Sequence, residues 1–232
     1  MEIQKLAIKR LAGIMLLLVL GIFGGPTQSL GQGTDSSLNQ VMIETNLGEI
    51  VLVLDPEKAP VTVENFLSYV DQQGYDGTIF HRVIPGFMIQ AGGHFEDLSE
   101  SPSRPPIKNE ADNGLSNRIG TIAMARLSDI DSASNQFFIN TANNARLDHG
   151  PESCSREEEA KIAALRARGL MKPKRCKSFG YAVFGEVIRG LEVVRRIESL
   201  ETGMRNGFSD VPLEAVKIIT IRRVAHEKVF NP

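Results

Sequence analysis

Short apolar runs separated by turn-forming residues dominate the chain after residue 40 and predict many β-strands. Residues 41–45 and 49–54 are two β-rich runs around Gly48, and they predict a hairpin. Further runs of this kind occur at 119–125, 136–140, 181–187 and 216–224. Because Gly, Pro, Asn and Ser fill the intervals, we expect loops there and find no internal repeat.

Two segments instead repeat apolar residues at helical spacing. The first begins at Pro60 and ends near Gly74, and the second begins at Leu191 with Val194 and Ile197 on one face. Many short strands, two helices and long loops together predict a mainly β fold. We expect a closed antiparallel barrel whose ends are capped by the two helices.

Residues 151–177 differ from this pattern because they are polar and helix-prone. Acidic side chains at 157–159 precede basic ones such as Arg166, an order that suits the helix macrodipole. We interpret the segment as an inserted helical loop that Cys154 and Cys176 join at its base. For its basic end, a solvated surface and a binding surface both fit.

The N-terminus has the layout of a secretory signal peptide. A basic stretch precedes the apolar run 11–23, and small residues before Gln32 offer a cleavage site. The cleavage signal is loose, so an uncleaved membrane anchor is the alternative; in either case we expect an exported, for example periplasmic, protein. We divide the chain into a signal peptide (1–31), a linker (32–39), one domain (40–226) and a tail (227–232).

Export would give the two cysteines a role. In an oxidising compartment Cys154 and Cys176 are expected to bond to each other. Closing that loop would stabilise the fold by roughly 3 kcal/mol in the chain-entropy treatment. Two free thiols are the alternative, because spacing alone does not bring their Cα atoms together.

Composition excludes several classes of function. The 232 residues carry a net charge of −2 and no Trp, so we expect no nucleic-acid partner. The four histidines lack metal-ligand spacing, and neither a phosphate loop nor a nucleophile elbow occurs. The pair Gly92-Gly93 predicts a turn. We therefore expect no metal and no cofactor.

The run 80–93 combines a guanidinium, an amide, aromatic rings and a thioether, which suits an apolar groove with a few aimed donors. Rotation about a prolyl amide needs no acid, base or nucleophile, and its barrier is about 20 kcal/mol. The rotated amide exposes a lone pair on its nitrogen, so a donor aimed there binds the transition state better than the planar ground state. Arg82 has the fixed charge and donors for this work.

This run resembles the signature of the cyclophilin family of peptidyl-prolyl isomerases. Residues 120–126, 134–139 and 181–185 are similar to three further family segments in the same order. Residues 109–115 and 147–150 resemble the bacterial periplasmic branch in particular. The resemblance spans about 42–224 and implies an eight-stranded antiparallel barrel closed by two helices, with a groove on its outer face.

The resemblance also implies residue roles. Arg82 would be the catalytic guanidinium, and Gln90 would hold Arg82 and the substrate backbone. The proline pocket would be lined by Phe87, Met88, Phe138 and Leu147. The peptide backbone would pair with Ala125 and Arg126, and Gln136 would lie beside that subsite. His81 would lie at the edge of the groove. Periodicity alone fits Phe87, Met88 and Phe138 equally well as core residues.

Two positions depart from the eukaryotic members of the family. Arg146 stands where they have a Trp, and Tyr181 stands where they have a His. Because that Trp supports cyclosporin binding, we expect weak binding here. Arg146 also departs from the bacterial aromatic residue; it removes one wall of the groove and offers a cation to acidic peptides, unless it only faces solvent.

The leading hypothesis is an exported isomerase that acts on proline-containing segments of unfolded proteins. A peptide-binding chaperone whose turnover is incidental is one alternative. A partner-recruiting module is another, and it rests only on the insert 151–177. No motif indicates a dimer interface, and we expect a monomer.

Overall fold

The computed structural model describes residues 39–170 and 176–224, whose centre is a nearly closed β-barrel. Its strands are β1 (Gln40–Thr45), β2 (Gly48–Leu54), β3 (Thr78–Ile84), β4 (Met88–Phe95), β5 (Thr121–Met124), β6 (Phe137–Asn140), β7 (Val183–Arg189), β8 (Thr202–Arg205), β9 (Phe208–Pro212) and β10 (Ile218–Arg223). The helices are α1 (Pro60–Asp71), α2 (Arg156–Ala167) and α3 (Leu191–Glu198), with single 3-10 turns at Ala111–Asn113 and Ala145–Leu147.

Eight strands form one antiparallel sheet in the order β10-β1-β2-β7-β5-β6-β4-β3. The two edge strands meet through backbone bonds from Phe80 N–H to the carbonyl of Val216 and from Gly77 N–H to that of Ile218, both 2.9 Å. These bonds satisfy edge groups that would otherwise need water. The eight-stranded barrel and the helices predicted from the sequence are therefore confirmed.

The barrel interior is aromatic at the contact with α1. Phe66 of that helix is fully buried, and its ring centre lies 5.3 Å from Tyr75, 5.6 Å from Phe137 and 5.3 Å from Phe184. Burying one such ring contributes roughly 1.5–3 kcal/mol, so this cluster fixes α1 on the barrel. Pro60 begins α1, and its missing N–H costs the helix no hydrogen bond, since the first N–H of a helix has no partner within the helix.

A second, smaller apolar cluster lies outside the barrel. Strand side chains alternate between faces, so the neighbours of inward residues such as Ile89 and Phe137 point outward. The buried members of the outer cluster are Met88, Ala123, Phe138 and Val183. An apolar cluster on the outer face of a barrel needs cover from loops or from a ligand.

The hairpin β8–β9 was not predicted. Asn206 and Gly207 form its turn with φ of 48° and 85°, the left-handed conformation that a two-residue hairpin turn requires. The hairpin packs on the barrel because Val211 is buried with Ile79 and Leu98. An Asn-Gly pair is a strong hairpin signal, and our sequence interpretation overlooked this one.

The insert docks on the barrel through its first helical turn. Ser155 and Glu158 form a reciprocal capping box that begins α2. The Arg156 guanidinium contacts Asp131 at 2.9 Å, and Glu159, only 3% exposed, accepts the N–H of Phe179 at 2.9 Å. Through these two contacts, the first turn of α2 binds the insert to the rest of the domain.

A disulfide joins the two ends of the insert. Cys154 and Cys176 are bonded, with Cα atoms 4.9 Å apart. Backbone bonds between Cys154 and Lys177 and between Lys177 and Glu152, both 2.8 Å, hold the same base. The insert is thus closed where it leaves the barrel.

The signal peptide, the linker up to residue 38, and the tail inferred from the sequence lie outside the described residues. Within 39–170 and 176–224, no helix has the length and apolar character needed to cross a membrane.

Candidate active site

Four side chains stand in one row across the outer face of the barrel. The strand register places Arg82 of β3 opposite Gln90 of β4, Gln90 opposite Phe138 of β6, and Phe138 opposite Ala123 of β5. Residues that face each other across strands have Cβ atoms about 5 Å apart. The register alone therefore brings a guanidinium, an amide and an aromatic ring together.

A cavity of about 180 Å³ opens over this row. It is lined by Arg82, Phe87, Met88, Gln90, Ala125, Arg126, Phe138, Leu147 and Tyr181. Pockets for whole small-molecule ligands measure roughly 300–1,000 Å³, so this one suits a single compact side chain rather than a cofactor. Two apolar residues that line it, Met88 and Phe138, are almost fully buried, at 2% and 4% exposed.

The wall beside Phe87 depends on a chain of asparagines that the sequence interpretation missed. The Asn144 amide donates to the carbonyl of Phe87 at 2.8 Å and to Oδ1 of Asn140 at 2.7 Å. The Thr141 N–H donates to the same Phe87 carbonyl at 3.0 Å. These bonds hold the turn that carries Leu147. Asn144 and Asn140 are buried polar residues, and in the sequence only their being asparagines could have indicated this role.

The opposite wall is fixed by Arg126. Its guanidinium donates to the carbonyl of Gly180 at 3.1 Å and to Oγ of Ser178 at 2.7 Å, and it lies 4.8 Å from the centre of the Tyr181 ring. The Tyr181 ring in turn meets Phe138 edge-on at 5.8 Å. Arg126 therefore shapes this wall with its side chain.

Gln136 lies beside a neighbouring cavity of about 280 Å³ that also borders Gln90, Ala125 and Arg126. Gln90 donates to Oε1 of Gln136 at 2.7 Å, which links the two cavities. Gly93 makes room for this amide, because a Cβ there would lie 2.4 Å from Cδ of Gln136. The turn expected at Gly92-Gly93 was wrong: both glycines lie within β4, and close approach explains them.

His81 is buried behind the row and does not line the 180 Å³ cavity. Its ring centre is 4.5 Å from that of His94, and burial, followed by the charge of His94, lowers the pKa of His81 to about 4. The Ile79 backbone and the Gln136 side chain oppose that shift only partly. His81 is neutral at ordinary pH and supports the groove from within.

Arg146 is exposed and does not line the 180 Å³ cavity. Its guanidinium lies 4.4 Å from the centre of the Phe87 ring, a cation–π contact. Arg146 therefore contacts a residue of the pocket wall without forming part of the wall.

Arg82 itself is half-exposed, with 42% of its side chain accessible, and its Nε lies 3.6 Å from Oδ2 of Asp210. Asp210 belongs to the hairpin that the sequence interpretation overlooked. The described residues contain no group of three side chains that could hold a metal ion. The arrangement offers hydrogen-bond donors and an apolar pocket, which suit binding and polarising a peptide group.

The structure thus has an external cavity of about 180 Å³ beside a guanidinium on the outer face of an eight-stranded barrel. Residues 40–223 match the family model described as cyclophilin type peptidyl-prolyl cis-trans isomerase. The chain therefore belongs to the cyclophilin-type peptidyl-prolyl cis-trans isomerases, enzymes of EC 5.2.1.8 type.

Bacterial relatives share much of this sequence. Peptidyl-prolyl cis-trans isomerase A of Dickeya dadantii is 46% identical over 178 residues, which cover 77% of this chain and 80% of the relative. Peptidyl-prolyl cis-trans isomerase B of Escherichia coli is 41% identical over 181 residues, covering 78% and 97%. The crystal structure of a Cryptosporidium parvum cyclophilin has a TM-score of 0.58 at 22% identity, covering 81% and 98%, which supports the fold.

We predict that the buried His81 makes folding stability fall in mild acid. The folded protein takes up this proton only near pH 4, whereas the unfolded chain takes it up near the ordinary pKa of 6.5. The free energy of unfolding should therefore decrease as pH falls from about 7 towards 4, by about 3 kcal/mol from this group, and level off below.

Urea unfolding at several pH values, at constant ionic strength, measures this dependence. The His81→Gln variant should show a shallower decline, and its missing NMR signal assigns the His81 ring. A His81 ring that titrates near 6.5 in the folded protein would contradict the prediction.

Proposed function

We propose that this isomerase rotates Xaa-Pro bonds with Arg82 stabilising the twisted amide. The observation that carries the proposal is the row in which Arg82 and Gln90 stand beside a pocket of proline size. A proline ring held against Met88 and Phe138 would place its amide next to the guanidinium. Donors aimed at the pyramidal nitrogen favour the transition state over the planar peptide.

The magnitude required of the site is moderate. A prolyl amide rotates over a barrier of about 20 kcal/mol, which corresponds to tens of seconds or more. Lowering the barrier by about 7 kcal/mol brings the event to milliseconds. One charged donor, restriction of the amide and exclusion of water can share that amount, and no group has to exchange a proton.

The substrate would be an extended segment that crosses both cavities. Its proline would occupy the 180 Å³ cavity, and the residue before it would lie towards Gln136. Ala125 and Arg126 would meet the peptide backbone. Gln90 would also contact the peptide; its amide donates to Gln136, and within the described residues it makes no hydrogen bond to Arg82. Neutral His81 would act from beneath by supporting Gln136.

The proposed setting is the folding of exported proteins, with the enzyme working as a monomer. The apolar run 11–23 and the disulfide between Cys154 and Cys176 support export. The docked first turn of α2 gives the insert a structural role, so recruitment of partners is the weaker interpretation.

The first prediction from this function concerns Arg82. Arg82→Ala should lower kcat/KM by about 10²–10³, the usual loss of one transition-state donor, with the barrel intact. Arg82→Lys should recover part of the activity, because charge remains but the planar fork does not. A protease-coupled assay on an Xaa-Pro peptide measures both, and circular dichroism checks the fold.

The same assay separates an enzyme from a peptide-binding chaperone. Wild-type turnover no faster than the uncatalysed rate would favour the chaperone, and full activity in Arg82→Ala would remove Arg82 from the mechanism. Arg223→Ala is a matched control, since it removes a guanidinium that pairs with Asp71 away from the groove.

The second prediction concerns Arg146 and cyclosporin. We expect weak inhibition of the wild type, and we expect Arg146→Trp to bind cyclosporin at least about tenfold more tightly, or about 1.4 kcal/mol. An indole there would supply a ring and an N–H donor beside Phe87. Titration calorimetry measures the affinities, and Arg146→Ala separates loss of the cation from gain of the indole. Equal affinities of Arg146→Trp and Arg146→Ala would refute this role.

The third prediction concerns export. Protein secreted from the full-length gene should begin near Gln32, and reduction should add the mass of two hydrogen atoms for the bonded cysteines. Intact-mass spectrometry with and without reductant tests both points. A retained N-terminus would favour the anchor, and a mass unchanged by reduction would contradict the disulfide.

A further inference from the structure

The carboxylate of Asp210 lies next to Arg82 but outside the lining of the pocket. Its Oδ2 lies 3.6 Å from Nε of Arg82, and the two side chains are 38% and 42% exposed. Asp210 is absent from the cavity lining. An exposed ion pair of this kind adds little to folding stability, so stability alone does not explain it.

The hairpin holds Asp210 in place from both sides along the chain. Phe208 meets the His94 ring edge-on at 4.9 Å, and Val211 is buried against Ile79 of β3. Asp210 lies between these anchors with φ of 61°, a left-handed conformation that few residues other than glycine, asparagine and aspartate adopt readily. A backbone in this conformation is kept by its surroundings, and here those surroundings are the two anchors.

The carboxylate itself also has a second partner. The Ser209 hydroxyl donates to Oδ2 of Asp210 at 3.1 Å, which limits rotation of the carboxylate. The contact to Arg82 is made through Nε, the donor nearest the stem of the side chain. In the described part of the chain, neither Nη of Arg82 forms a hydrogen bond to the protein, so both terminal donors stay available to a peptide.

We propose that Asp210 is a positioning residue for Arg82. Arginine has several rotatable bonds, and an unrestrained exposed guanidinium would spend much of its time away from the pocket. By holding Nε, Asp210 keeps the plane of the guanidinium fixed while its Nη donors face the substrate. This role rests on the catalytic function proposed for Arg82.

Steady-state kinetics test the proposal. Asp210→Ala should lower kcat about tenfold and leave KM within about twofold, because positioning matters most in the transition state. Asp210→Glu should restore most of the turnover, since it can still reach Nε, and Asp210→Asn should fall between the two. Asp71→Asn is the matched control: it removes one carboxylate from an exposed ion pair with Arg223 and should leave kcat unchanged.

A double-mutant cycle separates this role from a general structural one. In the Arg82→Ala background, Asp210→Ala should cause no further loss of turnover. The Nε–Hε NMR signal of Arg82, assigned by its absence in Arg82→Ala, should shift and broaden in Asp210→Ala but not in Asp71→Asn.

The outcomes also distinguish the two proposals. If Arg82→Ala keeps full activity, the catalytic role of Arg82 fails and the positioning role fails with it. If Arg82→Ala loses activity while Asp210→Ala keeps it, only the positioning role fails. Equal losses from Asp210→Ala in both backgrounds would likewise overturn it, because Asp210 would then act independently of Arg82.

Discussion

The two-residue alternation of β4 and β6, together with the register shift in β3 between Phe80 and Arg82, is the constraint on which this molecule depends. Val83, Ile89 and Phe137 fill the barrel, so their neighbours must face outward. Register then places Arg82, Gln90 and Phe138 side by side. A slip of one residue in either pairing would turn the guanidinium towards the core and destroy both the core and the site. The same strand register is therefore required both for the stability of the barrel and for the geometry of the groove.

The outer apolar cluster shows how the groove is kept from collapsing. Met88 and Phe138 are almost fully buried although they lie outside the barrel, because loops cover them. Those loops are held by polar groups: Asn144 bonds the Phe87 carbonyl on one wall, and Arg126 bonds the Gly180 carbonyl on the other. The pocket is thus an opening between two walls that are each held by hydrogen bonds to backbone carbonyls.

Apolar periodicity predicted strands β1, β2, β5, β6, β7 and β10 and the two core helices, because it reports on local structure. The pocket residues, in contrast, were named from the family resemblance. Neither of them predicted that Arg82 meets Asp210. That contact requires the closed barrel and a hairpin far along the chain, and only the Asn206-Gly207 turn was visible locally. His81 was placed at the groove edge from resemblance; its burial beside His94 follows from tertiary packing, which pattern alone does not report.

The three arginines around the pocket show why residue type alone could not assign their roles. Arg126 is committed to carbonyls and a hydroxyl of its own wall, so its donors shape the protein. Arg146 contacts the Phe87 ring but does not line the cavity. Arg82 differs because its ion pair with Asp210 involves Nε, and within residues 39–170 and 176–224 its Nη atoms form no hydrogen bond to the protein. A guanidinium that is anchored at its stem and free at its tip can meet a twisted amide without first breaking bonds to the protein. Electrostatic stabilisation is most effective when the donor is already in place before the reaction.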